Sequence, residues 1–171
     1  MARLRTGALT DDLLRRLGGA GIDSRSTLAI IVCTVDAEGW PHPAMLSYFE
    51  VAAVDRQNVR LAVYNNSRTC ANMRERGKAT LIVVDENLVC YIRGVVEQLM
   101  PEMVSAPFNA MLNLRVDEVT FDEPPPDVEP GAFVTSGITY RPRSGAPLAQ
   151  ARAVLAELVT SGPSGSRRRD G

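Results

Sequence analysis

The chain has little of what most familiar catalytic sites are built from. Its 171 residues include one histidine, His42, and three cysteines, Cys33, Cys70 and Cys90. The cysteine number is odd and no pair has CxxC spacing. This argues against a disulfide framework or a Cys/His zinc site, and for reduced thiols in a cytoplasm. Aromatic residues are scarce, at 5%, so there is little with which to stack single-stranded nucleic acid. Neither sign of charge dominates. The 19 Lys and Arg face 20 Asp and Glu, for a net charge of −1, and no global field favours nucleic acid. No apolar run approaches the roughly 20 residues needed to cross a bilayer. Met1-Ala2-Arg3-Leu4-Arg5 has no apolar core behind it and does not read as a secretory signal. No Gly-x-Gly-x-x-Gly follows a strand and there is no Gly-Lys-Ser/Thr loop, which excludes the dinucleotide and P-loop fingerprints. No internal repeat is visible.

What is there suits one globular domain. Hydrophobic residues make up 45% and charged residues 23%. The domain is placed at residues 1–160, and the Gly-, Ser- and Arg-rich tail at 161–171 is expected to be disordered. Arg167-Arg168-Arg169 in that tail is too short a basic run to argue for nucleic acid or lipid over a solvated end.

Strand patterns dominate. Thr27–Val35 is a β-branched run of central-strand type. Asp36–Gly39 makes a tight turn, with Gly39 free to take positive φ. Trp40–Pro43 begins a return strand, where the prolines suit an edge, and Ala44–Val51 continues it. Val59–Tyr64, Lys78–Asp85, Leu88–Leu99 and Met111–Phe121 read as four further strands. Gly94 inside the third of these suggests a bulge or a close backbone approach. Leu112, Leu114 and Val116 are expected to share a buried face. Pro101 and Pro107 break the segment between strands, with room for one helical turn at Glu102–Ser105. Residues 122–131 read as an irregular proline-rich loop, and 132–140 as a last strand or a loop. Amphipathic helices are expected at Thr10–Gly19 and Pro147–Thr160. The first reads as a lid over a barrel end. Antiparallel strands with short turns favour a closed or nearly closed β-barrel over a parallel sheet.

One stretch carries chemistry of its own. Tyr64-Asn65-Asn66 is a strand end and turn, Ser67 is a helix N-cap candidate, and Gly77 stands where a C-cap belongs. The first turn then holds Ser67, Arg68 and Thr69. Hydroxyls, a guanidinium and unpaired N–H groups at the positive end of a helix suit an anion, most commonly a phosphate. An ordinary Ser cap with a solvated Arg fits the same letters. Cys70 in this turn is expected to have a lowered pKa and some reactivity. Cys33 and Cys90, in apolar strands, read as inert core thiols, and His42 between two prolines as structural.

The order of these elements resembles the flavin-binding split barrels related to pyridoxamine 5′-phosphate oxidase, over roughly Ser26–Phe121. Three stretches carry the resemblance: the hairpin Cys33–Pro43, the strand end and helix Tyr64–Met73, and the strand pair Lys78–Asp85 with Tyr91–Glu97. The resemblance implies a mainly β fold, a six-stranded antiparallel split barrel, and a homodimer with FMN in clefts at its interface. Carried over by position, Ser67, Arg68 and Thr69 would hold the flavin phosphate, with Asn72 supporting the turn. Ala44, Met45, Leu46 and Ser47 would run along the isoalloxazine ring, mostly through backbone groups. Tyr64 and Asn65 would line the same cleft. Thr69 stands where the oxidases proper have a Lys, and their C-terminal substrate-phosphate residues are not recognisable here. The implied activity is therefore a flavin-dependent oxidoreductase acting on a small molecule, with no assigned acid or base. Two alternatives remain open. One is a deazaflavin-dependent reductase, with Arg68, Arg74, Arg76 and Lys78 around the longer acidic tail. The other is a non-catalytic flavin or haem module. No metal, nucleic acid or membrane partner is implied.

Overall fold

The structure, a computed structural model, describes residues 5–125, 127–141 and 148–161. The basic cluster Arg167–Arg169 and the tail beyond Ser161 lie outside them. The elements are β1 (Arg5–Thr6), α1 (Asp11–Leu17), β2 (Leu28–Val35), β3 (Pro41–Ser47), β4 (Val51–Ala53), β5 (Asn58–Tyr64), α2 (Arg68–Arg76), β6 (Lys78–Asp85), β7 (Leu88–Met100), β8 (Asn109–Phe121), β9 (Ile138–Thr139) and α3 (Leu148–Thr160). The strands form one antiparallel sheet in the order β3-β2-β6-β7-β8-β5-β4, with β1 on β8 and β9 on β2. The expected strands are all present. Strand β1 adds two residues, too short to leave a periodic signal, and β9 places a two-residue strand within 132–140, read as a last strand or a loop.

The strands at the two ends of this order, β3 and β4, are successive in the chain. Only a 3₁₀ turn at Tyr48–Glu50 separates them. The sheet is therefore curled, because three residues must bridge its first and last strands. Sequence pattern alone runs Ala44–Val51 on as one strand; the structure breaks it. The reason is a capping box. Glu50 Oε2 accepts from Ser47 N–H at 2.7 Å and from Ser47 Oγ–H at 2.8 Å, which folds the backbone out of the extended state. The helical turn expected at Glu102–Ser105 is likewise absent; those residues form bends. Their amides are taken instead by a side chain, since Glu157 on α3 accepts from Val104 N–H at 2.9 Å and Ser105 N–H at 2.8 Å.

The interior is filled by alternate residues of the strands. Ile30, Val32, Leu61, Leu81, Ile92, Leu112 and Leu114 are all fully buried there. Leu13 and Leu17 of α1 and Cys70 and Met73 of α2 insert into the same interior, so α1 packs into the core as the lid reading requires. Leu112, Leu114 and Val116 do share its buried face. Strands β4 and β5 are buried on both faces. Their other side, at Ala52 and Ala62, packs with Phe49, Met103, Met111 and Val154, Leu155 and Leu158 of α3 in a second cluster. Arg60 points the same way. It is 7% exposed, and its guanidinium donates to the Leu158 carbonyl at 2.7 Å, near the negative end of α3. Sheet, turn and last helix are thus locked around one outer groove.

Gly94 sits at a register shift between β7 and β8. A Cβ there would lie 2.0 Å from the Arg115 carbonyl oxygen. Both expectations at this position hold.

Candidate functional site

The local sequence builds α2 as expected. Ser67 caps it, its Oγ accepting from Cys70 N–H at 3.0 Å, and Gly77 ends it in the left-handed conformation at φ 62°. The helix packs against β2 and β3. Each candidate side chain in the first turn then has a distinct state. The Ser67 hydroxyl is occupied twice, because it also donates to the Tyr64 carbonyl at 2.7 Å. Ser67 N–H is turned to the same carbonyl at 3.0 Å. Arg68 is exposed, and no described residue pairs with its guanidinium or accepts from its N–H. Thr69 is 4% exposed and its N–H too has no acceptor among the described residues. The free donors of this turn are therefore those of Arg68 and Thr69, with Ser67 holding the cap in place.

Asn72 is buried and donates to Thr34 Oγ1 at 3.0 Å; Thr34 in turn donates to the His42 carbonyl at 3.3 Å. It anchors the helix to β2 and, through Thr34, to the edge strand β3. That agrees with a supporting role for Asn72.

Arg74 is not a free cation. It bonds Gln98 Oε1 at 2.5 Å and the Asn65 side-chain oxygen at 3.1 Å, fixing the turn that precedes the helix. Arg76 pairs with Glu75 at 2.9 Å.

The expected activation of Cys70 is overturned. The thiol is 0% exposed, and burial pushes its pKa up; the nearby Arg74 offsets only part of this. Position in a first helical turn does not help a sulfur that points into the interior. Burial likewise pushes the Cys90 thiol up to about 12. Cys33, expected in the core, is instead partly exposed. In native protein we therefore expect one of the three thiols, Cys33, to react with a disulfide reagent at neutral pH. The other two should appear only on denaturation. A second thiol labelled at a similar rate would contradict this placement.

The strand residues meet a cavity. It has a volume of about 600 Å³ and lies between the end of β3, residues Phe108 and Asn109, Tyr140 and α3. Met45, Leu46 and Ser47 line it. Ala44 does not; its side chain packs against the interior. Tyr64 and Asn65 adjoin it. Tyr64 pairs with Asn109, and Asn65 N–H donates to the Phe108 carbonyl at 2.9 Å. Ser67, Arg68, Thr69 and Asn72 are not among its lining residues. The candidate set thus falls into two parts: the first turn of α2, with its donors, and a cavity along β3.

Sequence reading missed the far wall of that cavity. Tyr140 closes one end, its hydroxyl donating to the Ser26 carbonyl at 3.2 Å. Burial raises its pKa, the Ser47 side chain lowers it, and Glu50 raises it, so the three share one corner. Leu148, Ala151 and Val154 of α3 form the opposite side. A legible signal did exist for Glu50, since Ser47-Tyr48-Phe49-Glu50 has capping-box spacing. No local signal could place α3 against β3. Among the described residues no group of His, Cys, Asp and Glu could hold a metal, and no helix is long and apolar enough to cross a membrane.

Residues 24–127 match the family model described as pyridoxamine 5′-phosphate oxidase. Among curated proteins, the uncharacterized protein YclD of Bacillus subtilis is 31% identical over 90 residues, 53% of this chain. The match spans 58% of that relative's length. Among solved structures, a Lactobacillus delbrueckii protein described as a candidate pyridoxamine 5′-phosphate oxidase superposes with a TM-score of 0.54 at 19% identity, covering 70% of this chain and 98% of its own. HupZ of Group A Streptococcus does so with a TM-score of 0.52 at 16% identity, covering 78% and 100%. At these identities the two structures show the common fold.

Proposed function

The chain belongs to the pyridoxamine 5′-phosphate oxidase family, and from that membership we propose that it is an FMN-dependent oxidoreductase. In this reading it works in the cytoplasm as a homodimer, on a small-molecule substrate. The observation that carries the cofactor is the Arg68 guanidinium, set beside the N–H groups of Arg68 and Thr69 on a helix that packs against β3, all of them without a partner among the described residues. A single phosphate ester fits that donor set. Met45, Leu46 and Ser47 would take the ring along the cavity. Bound flavin would supply hydride or electron transfer; the chain's own residues supply position and polarity. Ser67 and Asn72 hold the turn, through the cap and the bond to Thr34. The edge strand β3 supports self-association, because Met45 on it is 64% exposed and Trp40 just before it is 71% exposed.

FMN is favoured over a deazaflavin with a longer acidic tail by the state of the basic residues. Of the four that could serve such a tail, Arg74 and Arg76 are already engaged, leaving Arg68 and Lys78. A non-catalytic flavin or haem module is the remaining reading; bound flavin that no nicotinamide donor can reduce would favour it. The direct test is an absorbance spectrum of the purified protein after FMN is added and the excess removed. Retained flavin bands are expected. A spectrum without them, or tighter binding of deazaflavin in a side-by-side titration, would overturn the assignment. Light scattering on the same sample is expected to give twice the chain mass.

A further inference from the structure

The far wall of the cavity lies outside the part of the chain that matches the family. Tyr140, Leu148, Gln150, Ala151 and Val154 all follow residue 127, where the match ends. The chemistry of the described lining is one-sided. Among the described residues it contains one charged group, Glu50, and no Lys, Arg or His. Glu50 Oε2 is occupied by both Ser47 donors, whereas no described residue donates to its other oxygen. Most of the rest is apolar: Ala29, Met45, Leu46, Phe49, Phe108, Leu148, Ala151 and Val154. A phosphate or carboxylate placed here would be desolvated beside a carboxylate with no cation among the described lining residues to pair it, and such burial is heavily penalised. An N–H or O–H donor would instead find an acceptor.

We propose that this cavity selects a small, largely apolar molecule that carries an N–H or O–H donor and no anionic group. Calling that molecule the substrate rests on the flavin reading above; the selectivity itself does not. The phosphorylated amine in the family's name would meet no cation among the described residues of this lining. The wall that sets the selection is Tyr140 with Leu148, Ala151 and Val154 of α3, and Glu50 is the residue that reads the donor.

Two dyes that differ by one group make the test. N-phenyl-1-naphthylamine is neutral, apolar and has an N–H; 8-anilinonaphthalene-1-sulfonate is the same skeleton with a sulfonate. Both are titrated by fluorescence into the full-length protein free of FMN, and FMN retention is scored on a separate sample. Saturable binding of the neutral dye is expected, with the sulfonate at least tenfold weaker. Ala151→Trp, which fills the cavity, should abolish the neutral dye's binding. Leu148→Trp, at a half-exposed position, should weaken it in a protein whose fold is not at risk. Glu50→Gln keeps an oxygen acceptor for Ser47 and should shrink the difference between the dyes several-fold. Equal affinity for the two dyes overturns the proposal. So does neutral-dye binding that neither tryptophan variant changes. A protein that holds no FMN yet separates the dyes supports the cavity's selectivity and removes the cofactor; one that holds FMN but does not separate them does the reverse.

Discussion

Arg68→Ala is expected to strip FMN from the protein without unfolding it. The guanidinium is exposed and unpartnered among the described residues, so its loss breaks no contact that holds the fold. A charge-assisted hydrogen bond to phosphate contributes roughly 1.5–3 kcal/mol. That corresponds to roughly a ten- to hundredfold rise in Kd. The variant should emerge colourless from a desalting column that leaves the parent yellow, with an unchanged melting temperature. Two neighbours sharpen the comparison. Lys78→Ala, also exposed, should leave FMN retention as it is. Ser67→Ala should cost about 1 kcal/mol of stability through the lost cap and weaken FMN indirectly. If Lys78→Ala released as much cofactor as Arg68→Ala, a longer acidic tail would be the better occupant.

Gly94→Ala is expected to be the most damaging conservative change in the barrel. The added Cβ would stand 2.0 Å from the Arg115 carbonyl oxygen and 2.8 Å from its carbon. These are backbone atoms of the neighbouring strand, at a place where the register already shifts, so neither partner can rotate aside. Relief requires β7 and β8 to separate, and overpacking of that kind belongs to the severe tail of about 4 kcal/mol or more. For a chain of this size the melting temperature should fall by on the order of 10 °C. Gly39→Ala offers the contrast. Its φ of 89° is strained for alanine, yet nothing lies within 4 Å, so the loss should be about 1 kcal/mol. A Gly94→Ala protein melting within 2 °C of the parent would mean the two strands are not so close.

Much of this was readable before any coordinates, and the reasons are local. Period-two alternation marked the long strands because each has one face in the interior. Ser67 and Gly77 marked α2 because cap geometry depends on a few neighbouring atoms. Reading failed where a distant contact decided the outcome. Cys70 sits in a helical first turn, as expected, but the interior it faces is made by strands far off in sequence, and desolvation overrides the helix end. Ala44–Val51 looked continuous because no Gly or Pro interrupts it; the Glu50 side chain breaks it. Strand β5 hid its second buried face because α3, which covers Ala62, arrives almost a hundred residues later. The half of the site made by local chain was legible for the same reason that its α3 wall was not.

The way α3 is fastened has a consequence for how such a protein could diversify. Its anchors are Glu157 on the Val104 and Ser105 amides and Arg60 on the Leu158 carbonyl, toward the end of the helix, and an exposed ion pair of Arg152 with Asp23 nearer its start. Its cavity-facing positions, Leu148 and Ala151, lie toward the beginning. The anchors of the last turns are therefore separate from the cavity-facing positions Leu148 and Ala151. Mutations in the first turns can reshape what the cavity admits while the last turn keeps the helix seated and β3 keeps its course. Lineages that inherit this arrangement can exchange ligands by drift at a few helical positions, with the barrel beneath left under a separate selection.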